Sequence, residues 1–501
     1  MSPATLAAAL ALLSVAAAPA TAIPTTAVVA GPAVPAAPSV AADAIDDAVD
    51  REFGASGAPG VSYAVVRDGQ VVETGARGVL RLGEEAPVTA DTPFLIGSIS
   101  KSFTALAVMQ LVEAGEVDLD ATIGTYIPAF DGGPGNAITV RQLLGHTSGY
   151  STLQGNEVHG DPTGAADDLA RAVDAVAMLA PANPPGTHWE YSNTNYQVLG
   201  RLIETVGGQP YAAYLQQNVL DPIGMTDSTV AGGAEAAGAA VGHLPWFATR
   251  LPVDEGAPDL VTAPQGGVIA SAHDVALYLG VLMNGEDDVL SAAGKAQLLS
   301  PADPDVPWYA LGWYLDETDG TAWHSGASPG IETLATMDPA AGAGVVVLVN
   351  AGSGIGFGET TQLRVAVTAA ALGLDYAGEG DRWSQKLLYI GLLLLPITYL
   401  LAGVWAWLRR DRLRAKRDAG FSGWFSLLFP VLTTVVAAWV FLGLMPLMFG
   451  APLTTVSQFQ PDVALLVVAA AVTGLLWSGF RLVVALTGRR KAGAPRPADA
   501  A

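Results

Sequence analysis

The sequence predicts an α+β fold, an α/β sandwich in which helices flank one antiparallel sheet, with an inserted all-helical region and three transmembrane helices after it. Three observations carry this. Segments with strand character lie near both ends of residues 43–375. Residues 98 to 295, between them, read as helices and long loops punctuated by Gly and Pro. Past residue 385 stand three apolar stretches, each long enough to span a bilayer.

In chain order, the apolar run Leu6–Ala18 ends at Ala20-Thr21-Ala22, the small-x-small form of an export cleavage site. Residues 1–22 are expected to be a signal peptide, although no Lys or Arg precedes the run. The Ala-, Pro- and Val-rich residues 23–42 read as a flexible linker. A single large domain then occupies residues 43–375. It opens on the helical "AIDDAVDREFG" and continues as "GVSYAVVRDGQVVETGARG", two strands joined by the turn Asp68-Gly69. From Ser98 to Gly115, "SISKSFTALAVMQLVEAG" carries apolar residues at helical spacing. Strands return in "YALGWYLD", "TAWHSG", "IETLATMD" and "GVVVLVN", before a last helix around residues 358 to 372. The strands at the two ends are expected to share one sheet, which places a site at the seam where sheet meets helical region.

Residues 376–385 are a linker, 386–488 a three-helix transmembrane anchor and 489–501 a cytoplasmic tail. Its spans are Lys386 to Leu408, Phe425 to Phe449 and Val463 to Leu486. The loop "RRDRLRAKR" holds six basic residues and the tail holds Arg489, Arg490, Lys491 and Arg496, whereas the loop 450–462 has none. The positive-inside rule then puts loop 409–417 and tail in the cytoplasm, and the domain before residue 386 outside at the cell membrane. Pro396, Pro430 and Pro446 are expected to bend the spans, and Arg481 to snorkel to the inner surface.

Charge supports this division. Residues 1–380 hold 11 Lys+Arg against 42 Asp+Glu, and residues 381–501 hold 13 against 5. So acidic a body argues against nucleic acid as a partner. The chain has no cysteine, which removes disulfides, thiolate catalysis and cysteine metal sites together. No histidine or carboxylate cluster has metal-ligand spacing, and no cofactor motif is present.

Three short motifs straddle the seam: Ser98-x-x-Lys101, Tyr191-Ser192-Asn193 and His324-Ser325-Gly326. With them stand "ITVRQLLGHTSGY", "PPGTHWEYSNTNYQVLGRLIETVGGQPY", "DPIGMTDS" and "PQGGVIASAHDVALYL". In order and placement the set resembles the penicillin-recognising serine hydrolases, the superfamily of class C β-lactamases, DD-peptidases and related esterases. The resemblance covers about residues 44 to 375. It implies a serine β-lactamase/DD-peptidase-like fold and a small-molecule or peptide substrate: a cell-wall peptide, an ester or a β-lactam.

A serine hydroxyl is a poor nucleophile at neutral pH and needs a base within hydrogen-bond reach. Positions i and i+3 share a helix face, so Lys101 points its amine at Ser98. Lysine acts as a base only where burial lowers its pKa. Ser98 as a mere helix cap is the competing reading. By resemblance, Tyr191 is the second candidate base and the proton donor to the leaving group, while Asn193 holds Lys101 and the substrate amide. Which of Lys101 and Tyr191 takes the first proton stays open. The oxyanion hole implied is the N–H of Ser98 with that of Ala327, just past Gly326.

"GASPG" at 326–330 also fits a Gly-x-Ser-x-Gly elbow centred on Ser328, but Pro329 lacks the N–H that the elbow needs, and no histidine follows. Ser328 is read as a turn residue. His146 is expected to brace the site, with His159, His188, His243 and His273 structural or exposed; Phe94 and Trp189 are core or pocket wall. Lysine stands at the His324 position in β-lactamases of this superfamily. Histidine is mostly neutral at pH 7.5, so poor β-lactamase activity is expected, with carboxylate substrates gaining as pH drops through its titration. The reading is an extracytoplasmic, membrane-anchored serine hydrolase acting on a D-amino-acid peptide or an ester or amide. The alternatives are a penicillin- or muropeptide-binding sensor that acylates without turnover, and a true β-lactamase.

Overall fold

The computed structural model describes residues 38–157, 163–233, 236, 238–253, 259–355, 358–376, 378, 382–448 and 450–487. The expected signal peptide, most of the expected linker 23–42, the tail 489–501 and His159 lie outside the described residues. The chain divides into two compact units, Met1–Lys386 with Gly450–Pro461, and Leu387–Phe449 with Asp462–Ala501.

In the first unit, α1 (Pro38–Ser56) starts inside the stretch expected to be linker. Strands β1 (Gly60–Arg67) and β2 (Gln70–Gly78) follow, joined at Asp68 and Gly69, whose φ values of 47° and 75° are those of a two-residue hairpin turn. After β3 (Phe94–Leu95) a 3₁₀ turn, Gly97–Ile99, leads into α2 (Ser100–Glu113). This helix is apolar on nearly every side because it runs through the core, with Phe103, Leu106, Val108 and Met109 buried. Next come α3 (Thr152–Asn156), α4 (Asn193–Gly207), β4 (Thr229–Val230), the hairpin β5 (His243–Trp246) and β6 (Thr249–Pro252), β7 (Val268–Ala270) and α5 (Ala272–Met283). The inserted region is therefore not all-helical: β7 pairs with both β3 and β4. Strands of two to four residues are too short to show a period.

The chain then returns to the main sheet with β8 (Tyr314–Leu315), β9 (Ala322–Ser328), β10 (Ile331–Asp338) and β11 (Ala343–Val349), and ends the domain on α6 (Thr361–Leu372). The sheet is antiparallel in the order β2-β1-β11-β10-β9-β8, so the two ends of the domain meet at β1 and β11, Val61 opposite Val349. Both faces of these strands are covered. Val61, Tyr63, Val65, Val345, Val347 and Val349 pack with Ile45, Val49, Leu363 and Val367 of α1 and α6. Ala64, Val66, Val346 and Leu348 point the other way, into the core around α2 and α5.

The second unit contains α7 (Trp383–Leu408), α8 (Gly420–Trp439) and α10 (Pro461–Leu486); α9 (Leu453–Phe459) falls in the segment that belongs to the first unit. Three helices, Trp383–Leu408, Gly420–Met448 and Pro461–Leu486, are long and apolar enough to cross a membrane. Pro396 and Pro430 lie within helices, and a π turn at Val440–Leu444 precedes Pro446. Arg481 is buried and donates to the Leu427 carbonyl at 3.4 Å.

Candidate active site

Ser98 sits in the 3₁₀ turn that feeds α2, and its hydroxyl caps no helix. Its partner is Lys101, whose Nζ lies 2.9 Å from Ser98 Oγ. The turn is pinned from below: Ile96 N–H donates to Val268 O at 3.0 Å, and Val268 N–H donates to Ser100 Oγ at 3.0 Å. Lys101 is fully buried, and its second partner is the Gln265 carbonyl at 2.8 Å. That carbonyl belongs to "PQGG", a stretch whose sequence offers no sign of the role. Burial with no acidic partner pushes the Lys101 pKa well below the usual lysine range, which shifts its equilibrium towards the uncharged amine. A neutral amine donates to Gln265 O and keeps a lone pair for the Ser98 proton.

Tyr191, Ser192 and Asn193 lead into α4. Lys101 Nζ stands 4.9 Å from the centre of the Tyr191 ring and 5.6 Å from that of Tyr196. Burial raises the Tyr191 pKa well above its ordinary value, with the nearby Tyr314 adding to this and a hydrogen bond with Ser98 opposing it. The phenol is held protonated, suited to giving a proton rather than taking one. Asn193 was expected to hold Lys101; instead its Nδ2 donates to Asn156 Oδ1 at 3.0 Å, and its Oδ1 is buried without a partner.

His146 braces this segment. It takes a left-handed conformation (φ 61°), and its Nδ1 accepts from Ser192 N–H at 3.1 Å and Asn195 Nδ2 at 3.0 Å, while its ring lies 4.4 Å from that of Tyr191. Accepting at Nδ1 requires the proton on Nε2. Trp189 contributes to an aromatic wall with Trp308, Tyr309 and Tyr314, and Phe94 is core.

The third motif lies on β9, opposite Leu334 and Thr333 of β10, and close approach of the backbone at Ile96–Gly97 explains its glycines. A Cβ at Gly326 would collide with Ile96 O and Thr333 Oγ1, and one at Gly97, whose φ is +57°, would lie 2.7 Å from Ala327 N. The Ala327 backbone is thereby set beside the turn that carries Ser98. Ser328 ends β9 opposite Ile331, so Pro329 and Gly330 form the hairpin turn, and Ser328 is buried. His188 is exposed, and His243 is a buried strut between Leu82 N–H and the Asn350 carbonyl.

His324 is buried, and its Nδ1–H donates to Ser325 O at 2.7 Å, which leaves Nε2 as a buried acceptor without a partner. Burial, helped by Lys101, lowers its pKa to about 3. The rise of carboxylate activity through a His324 titration near neutrality is therefore not expected: the ring stays neutral at every physiological pH. His146 is likewise lowered, by burial first and then by Lys101.

This carries a stability consequence. Above pH 6.5 neither folded nor unfolded chain protonates these two rings. Below it the unfolded chain takes up protons that the folded one refuses; His324, with its folded pKa at about 3, subtracts about 1.4 kcal/mol per pH unit, and His146 acts in the same direction. In denaturant melts between pH 7.5 and 4.5, His324→Gln should shallow the acid decline by about that slope; an unchanged slope would mean that His324 is charged in the fold.

A family model described as Beta-lactamase matches residues 45–370. Penicillin-binding protein 4 of Amycolatopsis lactamdurans is 34% identical over 325 residues, 60% of this chain and 82% of that protein. Protein flp of Staphylococcus aureus (strain N315) is 25% identical over 317 residues, 62% of this chain, which spans 63% of that protein's length. Among solved structures, the octameric penicillin-binding protein homologue from Pyrococcus abyssi matches with a TM-score of 0.58 at 26% identity, covering 67% of this chain and 78% of that one. The D-amino acid amidase from Ochrobactrum anthropi SV3 matches with 0.55 at 25% identity, covering 66% and 97%.

Proposed function

Since this chain belongs to the β-lactamase family of serine hydrolases, we propose that it forms an acyl-enzyme at Ser98 and hydrolyses D-amino-acid peptides, esters or amides outside the cytoplasm, anchored in the cell membrane. The observation that carries this is the buried Lys101 amine 2.9 Å from Ser98 Oγ, its pKa lowered by burial. Lys101 takes the Ser98 proton as Oγ attacks the carbonyl. The N–H groups of Ser98 and Ala327 receive the developing oxyanion, and Tyr191 passes a proton to the leaving group. Water then releases the acyl group by the reverse proton path.

His324 argues for the substrate class. A neutral imidazole whose free Nε2 is an acceptor offers nothing to a carboxylate, whereas a charged donor there contributes roughly 1.5–3 kcal/mol, about ten- to more than a hundredfold in rate. The similarity to a D-amino acid amidase is compatible with that choice. The orientation is supported by charge: Gly450–Pro461, which belongs to the hydrolase unit, is free of basic residues, whereas the loop 409–417 carries six.

The test uses the full-length protein in detergent with a fluorescent penicillin, a chromogenic cephalosporin, a D-alanyl-D-alanine peptide and a short acyl ester. Turnover of the neutral ester is expected, with weaker turnover of the carboxylate-bearing cephalosporin and D-alanyl-D-alanine peptide, and His324→Lys should raise these carboxylate substrates at least about tenfold relative to the neutral ester. Labelling that never turns over would identify a sensor, and efficient cephalosporin hydrolysis at pH 7.5 a β-lactamase.

A further inference from the structure

The segment Gly450–Pro461 joins two membrane-spanning helices in the sequence, yet it packs as part of the hydrolase unit. Two of its hydrogen bonds meet at Asn156, the last residue of α3. Asn156 Nδ2 donates to the Gly450 carbonyl at 2.8 Å, Thr455 Oγ1 donates to the Asn156 carbonyl at 3.2 Å, and Asn156 Oδ1 accepts from Asn193 Nδ2 at 3.0 Å. The same helix is tied to the motif at its other end, where Thr152 Oγ1 donates to the Tyr191 carbonyl at 2.7 Å.

A primary amide has two unlike ends, an acceptor oxygen and a donor nitrogen, and rotating it by half a turn exchanges them. A carbonyl oxygen only accepts. Gly450 O therefore selects the orientation of Asn156 that turns Nδ2 towards the loop and Oδ1 towards Asn193. Asn156 Oδ1 in turn selects the orientation of Asn193 that commits Nδ2 and leaves Oδ1 unpartnered. We propose that Asn156 is a positioning residue which, oriented by the Gly450 carbonyl of the inter-helix segment, fixes Asn193 with its acceptor oxygen free for the reaction. Resting on the Ser98 reading, this adds a dependence of the active site on the segment between the membrane helices. It also explains why Gly450 is glycine: at φ +60°, a Cβ there would lie 2.9 Å from Thr152 Cγ2.

The experiment measures kcat and KM for a short acyl ester with full-length protein in detergent, and melting temperature alongside. Asn156→Ala removes the partner that orients Asn193 and should lower kcat/KM about five- to tenfold while melting within a few degrees of wild type. Asn156→Asp presents only acceptors, so one oxygen orients Asn193 without help from the loop while the bond to the Gly450 carbonyl is lost, and it should recover at least about half of the activity that Asn156→Ala loses. Gly450→Ala, which shifts the loop carbonyl, should lower activity severalfold in the wild-type background and leave Asn156→Asp unaffected. Asn156→Ala within twofold of wild type, Asn156→Asp as impaired as Asn156→Ala, or Gly450→Ala equally harmful in both backgrounds would each overturn the proposal. Ser98→Ala separates the two readings: if that variant keeps its activity, the Ser98 mechanism itself is wrong, whatever Asn156 does.

Discussion

Ser98→Ala should abolish covalent labelling by a fluorescent penicillin and lower turnover of every substrate by at least about 10³-fold, because no other group in the site can carry the acyl intermediate. Ser98 Oγ is the hydroxyl bonded to the Lys101 amine, and it does no capping that its loss would disturb. The variant should therefore melt close to wild type. Ser328→Ala is the matched control. Ser328 is buried at the end of β9, beside a hairpin turn whose proline has no N–H to offer an oxyanion, and its substitution should leave labelling and turnover nearly intact. Were Ser328→Ala the dead variant and Ser98→Ala active, the mechanism would have to be rebuilt around the other serine.

Lys101→Met should cost about 10²–10⁴-fold in acylation while preserving much of the side-chain volume. Methionine also removes a buried amine that has no acidic partner, so stability should hold or rise, and that outcome separates loss of a base from loss of the fold. The pH dependence has a definite sign. In the proposed mechanism Lys101 works as the uncharged amine, and its pKa is lowered from the lysine range by burial, so activity is expected above the lowered pKa and falls as pH drops through it. With His324 neutral down to about pH 3, no limb between pH 5 and 8 belongs to that ring, and His324→Gln should leave the acid limb where it is. Stopped-flow acylation across pH would check both points; an acid limb that moves with His324→Gln would assign it to histidine.

Much of this could be read along the chain because it is written in contiguous residues. The Asp68-Gly69 turn, the strands of alternating facing around it, the helix after Ser98 and the three long apolar stretches all appear where the local patterns place them. Ser98 and Lys101 meet because i and i+3 always share a helix face. The short strands β3, β4 and β7 were hidden, since two or three residues carry no period and their pairing depends on partners far away.

What sequence alone supplied was therefore local: that Ser98 has a lysine one helical turn away, that Ser328 is followed by a proline, and that three C-terminal stretches are long and apolar enough to cross a membrane. Tertiary structure decided the electrostatics and the hydrogen-bond polarity. The second partner of Lys101 is a carbonyl 164 positions away, and the carbonyl that orients Asn156 is 294 positions away. His324 could be read only with its ordinary pKa until burial and the neighbouring Lys101 were seen to lower it to about 3. The physical reason is common to all three: desolvation and long-range hydrogen bonds belong to the packed interior, where the groups that surround a side chain are chosen by the fold and not by its neighbours in sequence.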